Sequence, residues 1–272
     1  MSNKPWQPTR LVRVIESYDT SMGTTHVKTD ATFGYIKTMG NRQGPHCLAS
    51  ELVASSLACW FGLTVPDFAV FDLPAAACFV LPRGIPVQPG PAFVSRRAPG
   101  HTWGGSAAEL QAIENPRDVT RLVVFDTWVR NCDRHPPDLT TRKPNYANVY
   151  LADTDSPTRT RLLALDHTHC FNAGRDFTEH LANVDNVKDQ RTYGLFPAFQ
   201  PYLELGELAW CKSLLRSVTA ELAAEHVARI PRAWQVDERA AKGLAVLIHG
   251  RAAFVAGMID EGWPITTDTS AG

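Results

Sequence analysis

The chain has 272 residues, of which 44% are hydrophobic and 20% are charged, and its formal net charge at pH 7 is −1. This composition is that of a globular protein, and it excludes a collagenous, low-complexity or disordered chain. The near-zero charge gives no global electrostatic reason to expect nucleic acid or an anionic membrane as a partner. The longest uninterrupted apolar run, at residues 75–81, is far shorter than the about 20 residues that a membrane-spanning helix needs.

The first third of the chain predicts several strands around one helix. The patterns favour strands at residues 11–15, 34–39, 77–81 and 92–95, with a turn-rich segment at 17–25 after the first of them. The helix follows residue 47, because its apolar residues recur on one face at spacings near 3.6: Leu48, Leu52, Val53, Leu57, Trp60 and Phe61.

Glycine and proline mark the ends of these elements. Gly62 is placed to end the helix, and Pro66 keeps residues 63–73 extended. A Pro/Gly-rich segment at residues 97–105 separates this strand-rich part from the rest of the chain, so we place a boundary between two lobes there.

Helical patterns dominate after the boundary. Asn115 and Pro116 predict a helix start, with Asn as the N-cap and Pro at the first helical position, and apolar residues then recur up to Asn131. Strands at 148–152 and 161–165 predict a hairpin. The helical pattern returns at Leu205, and Asp237 caps a last helix that extends to about Ile259, so the fold class is α+β.

Six cysteines are spread along the chain without a CxxC pair: Cys47, Cys59, Cys78, Cys132, Cys170 and Cys211. Residues 1–10 contain no apolar segment of the kind found in secretory signals. We therefore expect buried free thiols in a reducing compartment, and a cytoplasmic protein.

Residues suited to catalysis concentrate in the hairpin region. Asp133 follows the predicted helix, Asn148 precedes the first hairpin strand, and Asp166 follows the second. Two carboxylates and an amide oxygen are ligands that suit Mg²⁺ bound together with nucleotide phosphates. Because one carboxylate can stay free to accept a hydroxyl proton, these are the parts needed for phosphoryl transfer.

The same segment resembles a known family. Asp133-Arg134-His135, followed by Asn148 and then by Asp166 after an apolar strand, is similar to the catalytic sequence of the HipA-like kinases. These kinases belong to the protein-kinase-like fold that also includes the phosphatidylinositol 3- and 4-kinase catalytic domains. The resemblance implies that Asp133 is the catalytic base, that Arg134 and His135 support it in the catalytic loop, and that Asn148 and Asp166 bind the metal.

The resemblance extends to the nucleotide-binding part of the chain. Lys37, at the end of a predicted strand, is placed like the lysine that binds ATP phosphates, and Glu51 in the next helix is placed to pair with it. The turn at 20–25 has one glycine, where a glycine-rich loop has several. Its backbone N–H groups and hydroxyls are still suited to phosphates, and the candidates are Ser21, Gly23 and Thr24.

As a whole, the resemblance implies a two-lobed protein-kinase-like fold that uses ATP and Mg²⁺. It implies a strand-rich N-lobe at residues 1–98 and a mainly helical C-lobe at residues 99–272. The implied reaction is phosphorylation of a Ser or Thr hydroxyl, with a protein as the acceptor. A small-molecule or lipid kinase is an alternative, and so is a non-catalytic pseudokinase that acts as a nucleotide-binding interaction module.

Two features of the site segment leave alternatives open. The family's short form has its amide ligand where this chain has Asp138, so we treat residues 138–146 as an insertion and assign the role to Asn148. Asn145 and Asp138 remain alternatives. A nearby cluster of His167, His169 and Cys170 suggests zinc, but neighbouring residues of an extended segment point to opposite faces, and we predict no zinc site there.

Overall fold

The computed structural model describes residues 6–264; residues 1–5, part of the segment predicted to lack a secretory signal, and residues 265–272 lie outside the described range. The strands of the described range are β1 Leu11–Ser17, β2 Thr25–Thr29, β3 Phe33–Lys37, β4 Phe68–Leu73, β5 Val80–Leu81, β6 Ile85–Pro86, β7 Gly90–Arg96, β8 Gly100–Thr102, β9 Tyr150–Asp153 and β10 Thr160–Leu163. Its helices are α1 His46–Trp60, α2 Ala107–Gln111, α3 Arg117–Val129, α4 Cys170–Ala173, α5 Val184–Val187, α6 Leu205–Arg216, α7 Ala220–Val227 and α8 Glu238–Asp260.

Five antiparallel strands form the larger sheet, in the order β1-β2-β3-β7-β4. β3 lies at the centre of this order, and its last residue, Lys37, is paired with Phe93 of β7. Because β3 is hydrogen-bonded on both sides, the backbone that carries Lys37 is held in place by two neighbours. The predicted strand at 34–39 is therefore confirmed as the centre of a sheet, whereas the sequence pattern did not predict β2.

α1 is buried almost all round, which is more than its one-sided apolar pattern predicts. Residues 46–58 are all buried, including the small residues on the side opposite Leu48 and Leu52. The helix packs against β7, α4 and α7, so neighbours from both parts of the chain cover it. Gly62 ends it as predicted: its φ is +74°, and Leu63 N–H donates to the Ala58 carbonyl across the turn.

The C-terminal part has α3 and α8 at its core. α8 packs against α3, α6 and α7, and the carboxylate of Asp237 accepts the Ala240 N–H at 2.7 Å, which confirms the predicted cap. α8 has the length and hydropathy of a membrane-spanning helix, but half of its most apolar window is buried inside the protein. Arg251 in its middle is fully buried, and donates to backbone carbonyls on α3 and on the segment after α5.

Three predictions about the segments between lobes and helices need correction. Asn115 does not cap α3; its side chain pairs with the backbone of Leu162 in both directions, which ties the start of α3 to β10. The strand predicted at 77–81 is reduced to β5, because a 3₁₀ turn occupies Ala75–Ala77. Within the predicted break, β8 forms and joins β9, which makes a three-stranded sheet of the predicted hairpin.

The cysteines are all free thiols, but they are not all buried. Cys47, Cys170 and Cys211 are buried, whereas Cys59 is exposed and the other two are partly covered. The prediction of six buried thiols is therefore wrong for half of them, because the helix that carries Cys59 reaches the surface at its last turn.

Candidate active site

Lys37, Glu51 and Asp166 form one ion-paired group between the sheet and the C-terminal part. Nζ of Lys37 donates to Oε2 of Glu51 at 2.7 Å and to Oδ1 of Asp166 at 3.0 Å. Oε2 of Glu51 also accepts the backbone N–H of His167 at 3.1 Å. Glu51 therefore anchors both the lysine and the segment that follows Asp166.

The charges in this group favour the ionised forms of Lys37 and Asp166, whereas burial raises the pKa of Glu51. Burial alone would lower the pKa of Lys37, but the two carboxylates outweigh it and raise that pKa. Burial alone would raise the pKa of Asp166, but the charge of Lys37 and its hydrogen bond lower that pKa to about 2. Asp166 also has a left-handed φ of +59°, a conformation that costs a non-glycine residue about 1 kcal/mol or more.

Asp133 lies in the loop after α3 and is held by donors on both carboxylate oxygens. The loop begins at Arg130, which adopts a left-handed φ of 55° at the end of α3. Oδ2 of Asp133 accepts from Nδ2 of Asn148 at 2.9 Å, and Oδ1 accepts from Nη1 of Arg142 at 2.7 Å. Asp133 and Asn148 are thus neighbours, as the assignment of the insertion requires.

Arg134 lies beneath the site rather than in it. Its side chain is fully buried, and Nε donates to Oδ2 of Asp126 at 2.7 Å. Its other nitrogens donate to the backbone carbonyls of Asn148 and Leu165. Arg134 therefore connects α3 to the backbone of Asn148 and to that of Leu165, which precedes Asp166, and it is a positioning residue.

His135 also faces away from the site. Its ring packs edge-on against Phe196, with the ring centroids 4.9 Å apart, and its carbonyl accepts the Gly194 N–H. Burial lowers the pKa of this imidazole, which favours its neutral form. Both loop residues thus support the position of Asp133, and neither lines the cavity described below.

The buried pair of Arg134 and Asp126 gives a prediction about stability. We expect Arg134→Met to lower the free energy of unfolding by about 3–5 kcal/mol, because it leaves Asp126 buried without its cation. Urea unfolding followed by circular dichroism measures the change. The control is Arg161→Met, which removes an exposed pair with Glu114 and should cost about 0–1 kcal/mol. Equal losses in the two variants would contradict the prediction.

The candidate residues surround a cavity of about 460 Å³. Aromatic side chains form part of its lining: Tyr18, Tyr35, Phe68, Phe93 and Tyr150. Lys37, Glu51, Asp133, Asn148 and Asp166 line it as well. A larger groove of about 990 Å³, between α1 and β4, contains none of the predicted residues, so volume alone does not identify the site.

The turn between β1 and β2 reaches the cavity with two of its three predicted residues. Ser21 and Thr24 line the cavity, as Lys37 does. Gly23 does not: it packs against Leu81, where a Cβ would come within 2.6 Å of a methyl carbon, and its φ of +61° favours glycine. The predicted role of Gly23 in phosphate binding is therefore replaced by a structural one.

The structure separates the three candidates for the amide position. Asn148 lies in the cavity beside Asp133, and Asn145 also lines it. The side chain of Asn145, however, accepts the backbone N–H of Ala147 and caps a short 3₁₀ turn. Asp138 does not line the cavity, and its carboxylate accepts two hydrogen bonds from Thr140 within its own turn.

These residues fit a nucleotide with a divalent metal. Oxygen atoms of Asp166 and Asn148 are hard donors, and the cavity leaves the remaining coordination positions to phosphate oxygens and water. Within residues 6–264, no group of three or more His, Cys, Asp or Glu side chains is arranged to hold a metal alone. His167 and His169 make different contacts: the first is buried against Ser55, and the second faces Asp133.

The five-stranded sheet, the buried helix and the helical C-terminal part form a protein-kinase-like fold. A solved structure of the Helicobacter pylori proinflammatory kinase CtkA is similar over 92% of this chain and 98% of that chain, with a TM-score of 0.56 and 10% identity. The family model of the HipA-like kinases matches residues 25–249, so this chain belongs to the HipA-like kinase family. The predicted family and the predicted α+β kinase fold are both confirmed.

Other comparisons are weaker. A solved structure of the Golgi casein kinase covers 96% of this chain and 74% of that chain at 10% identity, with a TM-score of 0.48. No protein with a curated function matches this chain in sequence. Because the CtkA likeness is at 10% identity, it establishes the fold alone, and the acceptor has to be argued from the site.

Sequence reasoning missed two residues that contact Asp133. Arg142 lies in the insertion, which has no counterpart in the family pattern. The residues next to it in the sequence do not predict its contact with Asp133. His169 was considered only as a zinc candidate, although its distance from Asp166 in the chain places it near the site. Both contacts depend on how separate loops meet.

Proposed function

We propose that the protein is an ATP- and Mg²⁺-dependent kinase that phosphorylates a Ser or Thr hydroxyl. The observation that carries this proposal is that Lys37, Asp166 and Asp133 line one cavity while Glu51 and Asn148 hold two of them in place. The HipA-like family and the kinase fold are those of phosphotransferases that use ATP and a divalent metal in general.

Each residue has a role that follows from its contacts. The ammonium group of Lys37 is held by Glu51, so its position is fixed before phosphate oxygens bind to it. Asp166 and Asn148 would hold Mg²⁺, which neutralises charge on the phosphates. Asp133 orients the acceptor hydroxyl and takes its proton. The aromatic side chains that line the cavity suit the nucleobase, which is planar and largely apolar on its faces.

The acceptor is proposed to be a protein on the basis of family membership. The site itself is compatible with any hydroxyl that reaches Asp133, and a small molecule or a lipid headgroup is the alternative. A cytoplasmic location stays a prediction, supported by the free thiols. The near-neutral net charge does not predict a nucleic-acid or membrane partner.

The proposal is tested with the purified protein and γ-³²P-labelled ATP. We expect Mg²⁺-dependent transfer of label to a degenerate library of Ser- and Thr-containing peptides. Label on phosphoinositide vesicles or on small polyols instead would support the alternative kinases. Binding of Mg-ATP without transfer to any of these acceptors or to water would favour the pseudokinase. If the protein does not bind Mg-ATP at millimolar concentration, it is not a kinase.

Asn148 and Asp138 give a matched pair for the metal site. We expect Asn148→Ala to raise the Mg²⁺ concentration needed for half-maximal turnover by about tenfold or more, because it removes a ligand and the donor to Oδ2 of Asp133. Asp138→Ala should leave that concentration unchanged, because its carboxylate bonds only within its own turn. Titration of Mg²⁺ at saturating ATP measures both. A shift in the Asp138 variant alone would overturn the assignment.

A further inference from the structure

His169 lies beside Asp133, and the roles proposed so far do not include it. Its Nδ1 atom is 3.4 Å from Oδ2 of Asp133 and 3.1 Å from Oγ1 of Thr168. Its Nε2 atom is 3.0 Å from Nε2 of Gln43, in the loop between β3 and α1. The residue is only 8% exposed, so these contacts decide its protonation and its orientation.

The donors and acceptors around His169 form one continuous chain. The amide nitrogen of Gln43 can only donate, so Nε2 of His169 accepts and the ring proton resides on Nδ1. Nδ1–H then donates to Oγ1 of Thr168 and faces Oδ2 of Asp133 at 3.4 Å, and the Thr168 hydroxyl donates to Oδ1 of Asp166 at 3.2 Å. Burial lowers the pKa of His169, in agreement with the neutral ring that this chain requires.

These hydrogen bonds give the two carboxylate oxygens of Asp133 different surroundings. Oδ2 accepts from Asn148 and faces His169, and both of these residues are buried. Within residues 6–264, Oδ1 accepts only from Arg142, whose side chain is 36% exposed and comes from the insertion loop. An incoming hydroxyl can therefore replace Arg142 at Oδ1 with little rearrangement, whereas at Oδ2 it would have to displace packed residues.

Building on the proposed kinase function, we propose that His169 is a positioning residue, oriented by Gln43, that holds Oδ2 of Asp133 so that Oδ1 faces the acceptor. In the transfer step, the hydroxyl proton moves to Oδ1 and the hydroxyl oxygen bonds to the γ-phosphorus. The bond from the γ-phosphorus to the bridging oxygen breaks, and ADP leaves with that electron pair.

The arrangement connects the two halves of the site. Gln43 lies in the loop just before α1, which begins at His46 and carries Glu51, the partner of Lys37. His169 lies shortly after Asp166 in the sequence, and its Nδ1 atom faces Oδ2 of Asp133. The loop before α1 therefore contacts the base through His169 and the phosphate-binding lysine through Glu51, so its position affects both.

The test compares variants of His169 in the ³²P transfer assay with Mg-ATP and the Ser/Thr peptide library. We expect His169→Ala to lower kcat by about 10- to 100-fold, the effect of one hydrogen bond to a charged group, with KM for ATP unchanged. His169→Asn should recover most of the loss, because its amide N–H₂ can donate near the position of Nδ1. Gln43→Ala should lower kcat less, since the ring stays in place.

A spectroscopic readout tests the orientation separately from the rate. Nitrogen-15 NMR of the histidine side chains, assigned with the His169→Ala variant, should show the ring proton on Nδ1. A ring proton on Nε2 would contradict the order of donors and acceptors around His169 and would overturn the inference. His180→Ala is the matched control, because His180 is exposed and remote from the cavity, and it should leave kcat unchanged.

The outcomes separate this inference from the proposed function. Absence of phosphoryl transfer by the wild-type protein would overturn the proposed function and the inference together. Transfer by the wild type with an unchanged kcat in His169→Ala would overturn the inference alone. Equal losses in His169→Ala and His169→Asn, together with a lowered Tm in both, would show a structural role and would also overturn it.

Discussion

Replacing Asp133 by Asn is expected to lower kcat for phosphoryl transfer by about 10²- to 10⁴-fold, the usual contribution of a general base. The amide has the same size and still offers an oxygen to Arg142 or Asn148, so the loop should keep its conformation. It cannot take the proton of the acceptor hydroxyl. Because the proposed role of Asp133 is toward the acceptor rather than the nucleotide, the Kd for Mg-ATP should not change.

The measurement for Asp133 is the rate of ³²P transfer at saturating Mg-ATP, with calorimetric titration for the Kd. Asp155→Asn is the matched control, since Asp155 is exposed in the turn between β9 and β10 and lies outside the cavity. Turnover of Asp133→Asn at the wild-type rate would remove the assigned role of Asp133. A loss of Mg-ATP binding in this variant would instead place Asp133 among the metal ligands.

Replacing Asp166 by Asn is the second large effect, and it should appear in metal dependence. We expect kcat at millimolar Mg²⁺ to fall by about a thousandfold, because a metal ion contributes several kcal/mol of charge stabilisation to such a transition state. Asp166 also pairs with Lys37, so the variant leaves Glu51 as the remaining carboxylate partner of that lysine within residues 6–264. The binding of Mg-ATP should weaken as well, which distinguishes this variant from Asp133→Asn.

The Asp166 prediction is measured by Mg²⁺ and Mn²⁺ titrations of turnover and of nucleotide binding. Asp153→Asn, at the exposed end of β9, is the control and should behave like the wild type. An Asp166→Asn variant that keeps its affinity for Mg-ATP and its turnover would exclude Asp166 as the principal metal ligand. Circular dichroism should show both variants folded, because Glu51 still holds Lys37 and the backbone of His167.

The fold was largely predictable because its signals are local. The ends of α1 and α8 depend on Gly62 and Asp237, whose effects act within a few residues of the chain. The strands β3 and β7 overlap the strands predicted at residues 34–39 and 92–95. β8 was missed because it has three exposed residues and is stabilised only by pairing with β9, a strand about fifty positions away in the chain. The cap predicted for Asn115 failed for a similar reason, since a long-range partner, Leu162, takes its side chain.

For the site, the sequence by itself determined which residue types are present and which of them follow a strand or a helix. Asp133, Asn148 and Asp166 were identified on that basis, and Lys37 and Glu51 were identified from the resemblance to the HipA-like kinases. The structure brings all five to one cavity. Their order along the chain carries this information, because the loops that leave a sheet and a helix place their first polar residues near the ends of those elements.

Only the tertiary structure decided how these residues are held. Gln43 and His169 are 126 positions apart, and Arg142 reaches Asp133 from an insertion with no regular pattern. Such contacts depend on which loops the packing of α1, α3 and the hairpin brings together. A hydrogen bond between side chains of distant loops leaves no periodicity in the sequence, because it requires one atom at one position and no repeated apolar face.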